Sequence, residues 1–472
     1  MRKPVYLPLI GASLFVCAVA VAQEEQVVLP RNLTLEEQQL FEKSDTPNDF
    51  YIWECFPELA GFTKFPPATS RFPTEGEQTR GAIYGWPSYG GQMSPLTELI
   101  RNSVQQDGYE TTVMVPSNLR GNAELTLRNR GFDDLMISRI NWFLTNLDGI
   151  WIRDYGAEVL IGEDGSPQFI DMGYYSMPRS SCPGTPEGFA GAGSRPADDV
   201  SPTRFAPNFL SGVDVFRPQL RTEGGNLQTD GYGTCVHMQR DVLAKNNFSR
   251  WMYTQEQLDD VYRNYFNCPT VITLESLQPD PSDPGEGIGQ RIVIDHVDML
   301  MTFISARTDT NPGTVLVARL DPEDAAIDPA NAAILDRNAQ TLVDYGYNVI
   351  RIPQPARYCT RRSSCIANPG DTLECVSGSP PRDRVWATYA NSMRVGNRML
   401  VPIYRDPVSD GSPLPQDVKD RIMRQETESL ATYQSALDGE YGVGAVQVVP
   451  VVSDDMIPCQ GSMHCISMTY AP

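Results

Sequence analysis

The sequence predicts an α/β fold made of five structural repeats that surround one shared site. A predicted helix, a glycine or turn, and an apolar strand follow one another five times along the chain. Each of these units is followed by a short segment rich in polar side chains. Five repeats that each present one functional segment are typical of a ring around a common centre, although no sequence identity between the units is visible.

The five units are predicted from helical periodicity and from apolar runs that end at turn residues. Thr254 and Gln257 form a capping box at the start of the third helix. Four of the five strands are predicted to end at or next to a proline, namely Pro116, Pro218, Pro353 and Pro450. In chain order the units are Leu96–Gln106 with Thr111–Val115, Arg204–Leu210 with Val213–Arg217, Gln255–Phe266 with Val271–Leu274, Asn331–Tyr345 with Asn348–Ile352, and Val418–Leu437 with Val446–Val452.

The polar segments that follow the units contain the candidate functional residues. In chain order they are Trp151–Gly156, Glu223–Asn226 with Asp230 and Gly231, Asp295–Asp298, Tyr389–Ser392, and the terminal stretch with Cys465.

Residues 1–22 are predicted to be a secretory signal peptide. Two basic residues precede an apolar run from Leu7 to Val19, and Ala20-Val21-Ala22 has the small-residue pattern of a cleavage site. The run is too short for a membrane-spanning helix, which makes an anchor the weaker alternative. A lipoprotein attached through Cys17 is weaker still. We therefore expect a secreted or periplasmic protein without stable membrane insertion.

The remaining chain is predicted to have two parts. Residues 23–80 are polar and form an N-terminal extension, or a segment that wraps over the main domain. Residues 81–472 form the catalytic domain. Three stretches rich in Pro, Gly, Ser and charge are predicted to be loop insertions in it: Pro178–Pro202, Gln278–Gly289 and Gln354–Arg382.

The charge balance restricts the possible partners. Without Arg2 and Lys3 the chain keeps 36 basic residues against 59 acidic ones, a net charge of −23. This argues against nucleic acid or an anionic membrane as a partner, and it suits a cationic substrate. Solubility of an exported protein explains the same composition equally well.

The cysteine count favours disulfides with one free thiol. Ten cysteines are present, and Cys17 would leave with the signal peptide. If Cys465 is free, an even set remains for up to four disulfides of unknown pairing: Cys55, Cys182, Cys235, Cys268, Cys359, Cys365, Cys375 and Cys459. A zinc site is not expected, because no C-x-x-C pair is present and the chain has only 3 histidines.

Cys465 is the candidate nucleophile, and a nucleophilic thiol needs a low pKa or a nearby base. His296 is the candidate base, with carboxylates at Asp295 and Asp298 close to it in sequence. A buried structural histidine is the alternative interpretation of His296. His464 is a rival base, but on an extended chain its side chain would point to the opposite face from that of Cys465.

Asp154 is a candidate for binding a planar cation. A carboxylate next to Trp151 could accept two hydrogen bonds from a guanidinium while the indole ring stacks on it. Asp298 would provide a second carboxylate, because the five N–H donors of a guanidinium exceed what one carboxylate accepts. The alternative for Asp154 is a structural salt bridge, for example with Arg153.

The Glu223-Gly224-Gly225-Asn226 segment predicts a turn whose backbone closely approaches another group. A substrate contact and a tight turn capped by Asn226 explain it equally well. Asn391 could bind substrate or hold a loop of the site.

Five motifs occur in a fixed order: Trp151-x-Arg153-Asp154-Tyr155-Gly156, Glu223-Gly224-Gly225-Asn226 with Asp230-Gly231, Asp295-His296-Val297-Asp298, Asn391-Ser392, and His464-Cys465. From about Gly81 to the C-terminus this order resembles the Porphyromonas-type peptidylarginine deiminases and the related agmatine deiminases. Both belong to the guanidino-group-modifying superfamily. The resemblance implies that this chain has the fold of that superfamily, a five-bladed α/β propeller (the pentein fold) of ββαβ-type repeats around a central active site.

The resemblance implies a two-step hydrolysis in which Cys465 attacks the guanidinium carbon and forms a covalent thiouronium. Asp154 and Asp298 would hold the guanidinium nitrogens, and His296 would protonate the departing ammonia and then activate water. Asn391 matches the catalytic-site asparagine of the peptidylarginine group. Further substrate contacts are implied for Trp151, Glu223, Gly225, Asn226 and Arg179. No cofactor or metal is required.

The predicted reaction is the conversion of peptidyl or free arginine to citrulline and ammonia, with agmatine deimination as the alternative. Export, Tyr155, Asp295 and the Asn391-Ser392 pair favour an arginine-containing peptide or protein. Glu223 and the Gly461–Ile466 ending look more like agmatine deiminases.

Three other functions remain open at this point. A cysteine protease of the papain type is disfavoured, because its chain order of Cys, His and Asn differs from the order His296, Asn391, Cys465. A non-catalytic binding protein with the same fold and an amidinotransferase using the same residues are the others.

Overall fold

The computed structural model describes residues 65–88, 94–174, 196–218, 220, 222–238, 254–278, 296–355, 358–359, 384–405, 408–409, 412–413, 416–454, 456–457 and 461–470. The predicted signal peptide, residues 23–64 of the predicted extension, Arg179, Asp295 and most of the predicted loop insertions lie outside these ranges. Within the described ranges, no helix is both long enough and apolar enough to cross a membrane.

Four of the five predicted helices occur close to their predicted positions, the helix of the second unit begins earlier, and additional short helices lie between them. They are α1 (Ser94–Val104), α2 (Arg120–Asn129), α3 (Asp134–Ser138), α4 (Ile152–Tyr155), α5 (Pro196–Phe205), α6 (Gln255–Tyr265), α7 (Pro322–Ile327), α8 (Pro329–Asp344) and α9 (Gln416–Tyr441). Short 3-10 turns cover Ala206–Ser211, Gly224–Asn226, Val297–Met299 and His464–Ile466.

The strands are mostly short. They are β1 (Gly81–Gly85), β2 (Glu110–Val115), β3 (Ile140–Leu144), β4 (Glu158–Ile161), β5 (Pro167–Ile170), β6 (Asp214–Phe216), β7 (Gln228–Thr229), β8 (Thr234–Met238), β9 (Thr270–Leu274), β10 (Met301–Phe303), β11 (Thr314–Leu320), β12 (Asn348–Gln354), β13 (Tyr358–Cys359), β14 (Arg384–Val385), β15 (Met393–Val395), β16 (Arg398–Ile403), β17 (Val408–Ser409), β18 (Ser412–Pro413), β19 (Gln447–Val452) and β20 (Met468–Tyr470).

Five mixed sheets share one plan, and β13-β14 and β17-β18 form two further antiparallel pairs. The sheets β4-β5-β6, β7-β8-β9, β10-β11-β12 and β15-β16-β19 each contain an antiparallel pair followed by a parallel pair. At least one helix connects the two parallel strands, as a parallel connection requires. The sheet β20-β1-β2-β3 follows the same plan, with the C-terminal strand as antiparallel partner of β1. The predicted alternation of helices and strands in a mixed α/β fold is therefore confirmed.

The unit around α6 shows why these residues form these elements. Thr254 and Gln257 make the predicted capping box, with each side chain bonded to the other's backbone N–H. Leu258, Tyr262 and Tyr265 are buried on one face of the helix at helical spacing. A disulfide joins Cys235 in β8 to Cys268, directly after α6. The helix is thus fixed to its sheet by apolar packing and by a covalent bond.

One helix boundary differs clearly from the prediction. The helix of the second unit, α5, begins at Pro196 and not at Arg204, so part of the predicted loop insertion is helical. Its start is fixed by Asp148, whose carboxylate accepts a hydrogen bond from the Ala197 N–H. The last strand, β19, ends at Val452 as its predicted bounds have it. It continues through Pro450, because β19 lies at the edge of its sheet, where a missing N–H breaks no ladder.

Candidate active site

The predicted functional segments occupy short turns between the sheets. Asp154 lies on α4, which packs against both the 3-10 turn with Gly225 and the 3-10 turn with Cys465. The turn with Asp298 packs against the turn with Gly225. Asn391 lies just before β15. Segments that are far apart in the sequence therefore meet in one place.

Cys465 is a buried free thiol held by two side chains. The Nδ2 amide of Asn391 donates to Sγ at 3.3 Å, and Sγ lies 3.6 Å from Oδ2 of Asp298. The Oδ1 of Asn391 accepts from the backbone N–H of His464 at 2.9 Å, which fixes the orientation of the amide. Burial, and then the charges of Asp298 and Asp154, raise the pKa of the Cys465 thiol well above its usual value. The thiol therefore keeps its proton at neutral pH unless a cation lies close to it.

His296 is held between two carboxylates. Its Nε2 lies 2.5 Å from Oε2 of Glu223, and its Nδ1 lies 3.6 Å from Oδ1 of Asp154. Burial alone would lower the pKa of His296, but the charges of Asp154 and Glu223 outweigh it and raise the pKa to about 10. The ring is therefore an imidazolium at neutral pH and can act as a proton donor.

The side chains of His296, Asp154 and Asp298 face the same small space beside Gly225. A methyl group placed on Gly225 would lie 2.7 Å from His296 Nδ1, 2.9 Å from Asp154 Oδ1 and 3.1 Å from Asp298 Oδ2. The Asp298 oxygen that faces this space is Oδ2, which also lies 3.6 Å from Cys465 Sγ. The space beside Gly225 thus has a proton donor and two carboxylates on its walls.

Trp151 forms another part of the site, next to the thiol. A methyl group on Gly461 would lie 2.3 Å from Cζ3 of the Trp151 ring and 3.3 Å from Cys465 Sγ. Only glycine allows the indole ring to lie this close to the turn that holds the nucleophile.

A second ionic cluster lies on the other side of Asp298. His464 Nδ1 is 2.7 Å from Asp298 Oδ2, and His464 Nε2 contacts Glu75 Oε2. Arg153 Nη1 is 2.5 Å from Glu75 Oε1 and 3.8 Å from Glu158 Oε2. This cluster of His464, Glu75, Arg153 and Glu158 is called the rear network below.

The pKa values of the rear network follow from its pairing. Burial would raise the pKa of Glu75, but Arg153 and His464 lower it to about 2. Burial would lower the pKa of His464, but Glu75 in particular raises it to about 9. For Glu158, burial dominates over the attraction of Arg153 and raises the pKa to about 7. Glu75 is therefore an anion and His464 a cation at neutral pH.

No sequence pattern marks the rear network. Arg153, the predicted alternative partner of Asp154, pairs with Glu75 instead. The expectation of an extended chain at His464 is wrong, because His464–Ile466 form a 3-10 turn. Nothing in the sequence marks Glu75, which lies in the segment assigned to the N-terminal extension.

Two residues predicted to contact substrate have other partners. Glu223 bonds to His296 and orients the ring. Asn226 is fully buried, and its amide bonds in both directions to the backbone of Met238 at 3.0 and 3.2 Å. Asn226 therefore holds the turn that carries Gly225.

The charges of the site favour a cationic ligand. Four carboxylates, those of Asp154, Asp298, Glu223 and Glu75, face the three cations His296, His464 and Arg153, and Glu158, with a pKa of about 7, adds a partial negative charge. The excess negative charge lies next to a buried thiol and a proton donor. This arrangement can bind a planar cation, attack it with sulfur and protonate a leaving group.

Comparison with known proteins gives a consistent result. A sequence model of the family described as Porphyromonas-type peptidyl-arginine deiminase matches residues 71–471. A Shewanella baltica (strain OS155) protein assigned as an agmatine deiminase is 25% identical over 336 residues, which cover 71% of this chain and 76% of that protein. A protein of Shewanella frigidimarina with the same assignment is 26% identical over 320 residues, which cover 67% of this chain and 72% of that protein.

Solved structures show the same fold. The agmatine deiminase of Enterococcus faecalis superposes with a TM-score of 0.60 at 19% identity, covering 87% of this chain and 98% of its own. A protein of Porphyromonas gingivalis assigned as an arginine deiminase superposes with a TM-score of 0.56 at 18% identity, covering 85% of this chain and 98% of its own.

Proposed function

We propose that the protein deiminates a small guanidine of the agmatine type. The chain belongs to the Porphyromonas-type peptidyl-arginine deiminase family and is a hydrolase of C–N bonds in linear amidines. The products would be N-carbamoylputrescine and ammonia. One observation carries the proposal: His296, Asp154 and Asp298 converge on the space beside Gly225, and Cys465 contacts the same Asp298.

In the proposed first step, a guanidinium lies beside Gly225 with its nitrogens on Asp154 and Asp298. Its positive charge offsets the carboxylates that raise the thiol pKa, so Cys465 releases its proton to solvent. The thiolate attacks the guanidinium carbon. His296 gives its proton to the departing nitrogen, which leaves as ammonia and leaves a cationic thiouronium on sulfur.

In the second step, the neutral His296 removes a proton from a water molecule. The imidazole side chain is 20% exposed, so water can reach it, whereas Cys465 is only 3% exposed. The hydroxide attacks the thiouronium carbon, and the carbon–sulfur bond breaks to release a urea-type product. The hydroxyl proton returns to the medium or to the thiolate, which restores the enzyme.

Two observations support a small substrate over a peptide. The curated relatives named above are assigned as agmatine deiminases. The contact of Glu223 with His296 gives a clear function to the glutamate in the turn that resembles the agmatine deiminases. Peptidyl arginine is the second candidate, because the matching family is the peptidyl-arginine group and because residues 1–22 predict export.

The five mixed sheets of one plan support the further proposal that the domain is a five-bladed ring. Pairing of β20 with β1 would then close the ring between the last and the first of the described strands. We also propose secretion or periplasmic export after cleavage at residue 22. Mass analysis of the processed N-terminus, in the medium and in cell fractions, tests the latter.

The substrate test is a panel of agmatine, free arginine, and peptides with an internal or a C-terminal arginine. Ammonia release and mass spectrometry of the products are measured for the wild type and for Cys465→Ala. Turnover of agmatine alone supports the leading proposal, and citrulline only in peptides favours the second candidate. If no guanidine is turned over, the proposed function is wrong.

A further inference from the structure

The rear network is connected directly to one carboxylate of the site. His464 lies between Asp298 and Glu75, with one ring nitrogen facing each carboxylate. His464 and Asp298 are each only 1% exposed, so water cannot replace either partner. Asp298 is also the residue that contacts Cys465 Sγ.

The geometry defines the protonation state of His464. A neutral imidazole has one N–H and one lone pair, so one of its nitrogens would face a carboxylate oxygen without a proton between them. Two facing carboxylates are satisfied only by an imidazolium, which donates on both sides. The other charged groups around the ring are Arg153 on α4 and Glu158 on β4, and Arg153 pairs with Glu75.

The imidazolium fixes the Asp298 oxygen that borders the proposed substrate space. Oδ2 accepts from His464 at 2.7 Å, and the same oxygen lies 3.6 Å from Cys465 Sγ and faces the space beside Gly225. A carboxylate that is held by a buried imidazolium cannot rotate freely, so this oxygen keeps its place between the thiol and the proposed substrate. Such fixation by a buried ionic bond reduces the ordering cost when the substrate binds.

We propose that His464 and Glu75 are positioning residues of this enzyme: a doubly protonated His464, paired with Glu75, fixes the Asp298 carboxylate in the orientation that faces Cys465 and the guanidinium. This inference rests on the proposed function for its kinetic consequences. It also makes the segment before β1 a part of the active site.

The segment that carries Glu75 is attached firmly enough for this role. The carbonyl of Gly76 accepts hydrogen bonds from Arg394 and from the Tyr441 hydroxyl, the latter at 2.7 Å. Thr79 donates to the carbonyl of Arg394 at 3.0 Å. A methyl group on Gly76 would lie 2.4 Å from the carbonyl carbon of Ile304. Contacts on both sides of the segment thus fix the backbone next to Glu75.

The first test measures histidine protonation directly. The chain has only 3 histidines, so ¹⁵N-histidine labelling gives a small set of signals, and His464→Gln assigns one of them. We expect His464 and His296 to be doubly protonated at neutral pH. We expect His237, whose pKa burial lowers to about 4, to be neutral. A neutral His464 in the wild type at neutral pH overturns the proposal.

The second test separates positioning from structure with three variants. Glu75→Gln keeps the side-chain length but removes the charge that most favours protonated His464. The pKa of His464 should fall from about 9, so the alkaline loss of kcat/KM should begin at lower pH. His464→Gln should lower kcat/KM by about 10- to 100-fold, the range expected for loss of one charged hydrogen bond. Glu77→Gln is the matched control, since this neighbouring glutamate pairs with Arg71.

The outcomes are distinct. If the wild type turns over no guanidine in the panel, the proposed function fails, and the ¹⁵N spectra still decide the protonation of His464. If the wild type is active and Glu75→Gln has the kcat/KM, the pH profile and the spectra of Glu77→Gln, only the positioning role fails. If His464→Gln does not fold, the wild-type spectra still decide whether His464 is doubly protonated, and Glu75→Gln still decides whether the pair has a positioning role.

Discussion

A single methyl group on Gly225 should abolish most of the activity without unfolding the protein. The added carbon would lie 2.7, 2.9 and 3.1 Å from His296 Nδ1, Asp154 Oδ1 and Asp298 Oδ2, respectively. Non-bonded heavy atoms prefer separations of about 3.5 Å or more, so these groups would have to retreat by several tenths of an ångström. All three contacts are with side chains, so the backbone can stay in place.

The expected loss follows from the alignment that the reaction needs. Misplacement of a catalytic group by about 1 Å can cost about 100-fold in rate. Gly225→Ala should therefore lower kcat/KM by about 100-fold or more, while the melting temperature changes little. Ammonia release and thermal unfolding measure the two quantities on the same preparation.

The neighbouring glycine provides the matched comparison. A methyl group on Gly224 would lie 2.2 Å from the carbonyl oxygen of Arg153 and 2.5 Å from Glu158 Oε1. A backbone atom cannot move aside as a side chain does, so Gly224→Ala should destabilise the fold by about 1–3 kcal/mol. Neither glycine has a positive φ, so backbone strain does not complicate the comparison.

A glycine on the surface serves as the neutral control. Gly439 lies in α9 with no atom within 4 Å of an added methyl group. Gly439→Ala should raise stability by up to about 1 kcal/mol and leave kcat/KM unchanged. If Gly225→Ala retains wild-type kcat/KM, the substrate does not lie beside Gly225. A large fall in its melting temperature would equally refute the assignment of this space to substrate.

Further predictions concern the thiol and the disulfide. Asn391→Asp should lower kcat/KM at neutral pH more than Asn391→Ala does, because a carboxylate beside Cys465 further raises the thiol pKa. Alkylation of Cys465 by iodoacetamide, followed by mass spectrometry, should accelerate as pH rises through the alkaline range, since its thiol pKa is raised. Replacing Cys235 and Cys268 together by serine should lower the free energy of unfolding by about 3–4 kcal/mol, because the disulfide closes a loop with a sequence separation of 33.

Each of these predictions has a contradicting result. Equal activity of the two Asn391 variants at all pH values would show that Asn391 does not control the thiol. A pH-independent alkylation rate would show that Cys465 is already ionised at neutral pH. Unchanged stability of the serine variant in denaturant titration would show that Cys235 and Cys268 do not form a disulfide in solution.

Much of the fold was predictable because local patterns determine it. The capping box at Thr254 and the apolar face of α6 are properties of neighbouring residues, and they place that helix correctly. The start of α5 was not predictable, because it depends on Asp148, about fifty residues earlier in the chain. Proline-rich sequence alone cannot distinguish a loop from a helix that begins at a proline.

The candidate site likewise combines residues that local motifs predict with a residue that only long-range contacts reveal. Short sequence motifs contain Cys465, His296, Asp154 and Asp298, and the structure brings these residues together. Glu75 was not predicted, because no motif or spacing distinguishes a single glutamate from the other residues of a polar segment. Its significance comes only from contacts with His464 and Arg153, which are distant in the sequence.

The two histidines of the site illustrate how environment determines role. Both rings lie between two carboxylates, and both have raised pKa values. His296 borders the space beside Gly225 and is partly exposed, so it can exchange protons with a ligand and with water. His464 is enclosed between Asp298 and Glu75, so its protons stay in place. The first ring is suited to proton transfer, and the second to holding a charge that keeps Asp298 aligned.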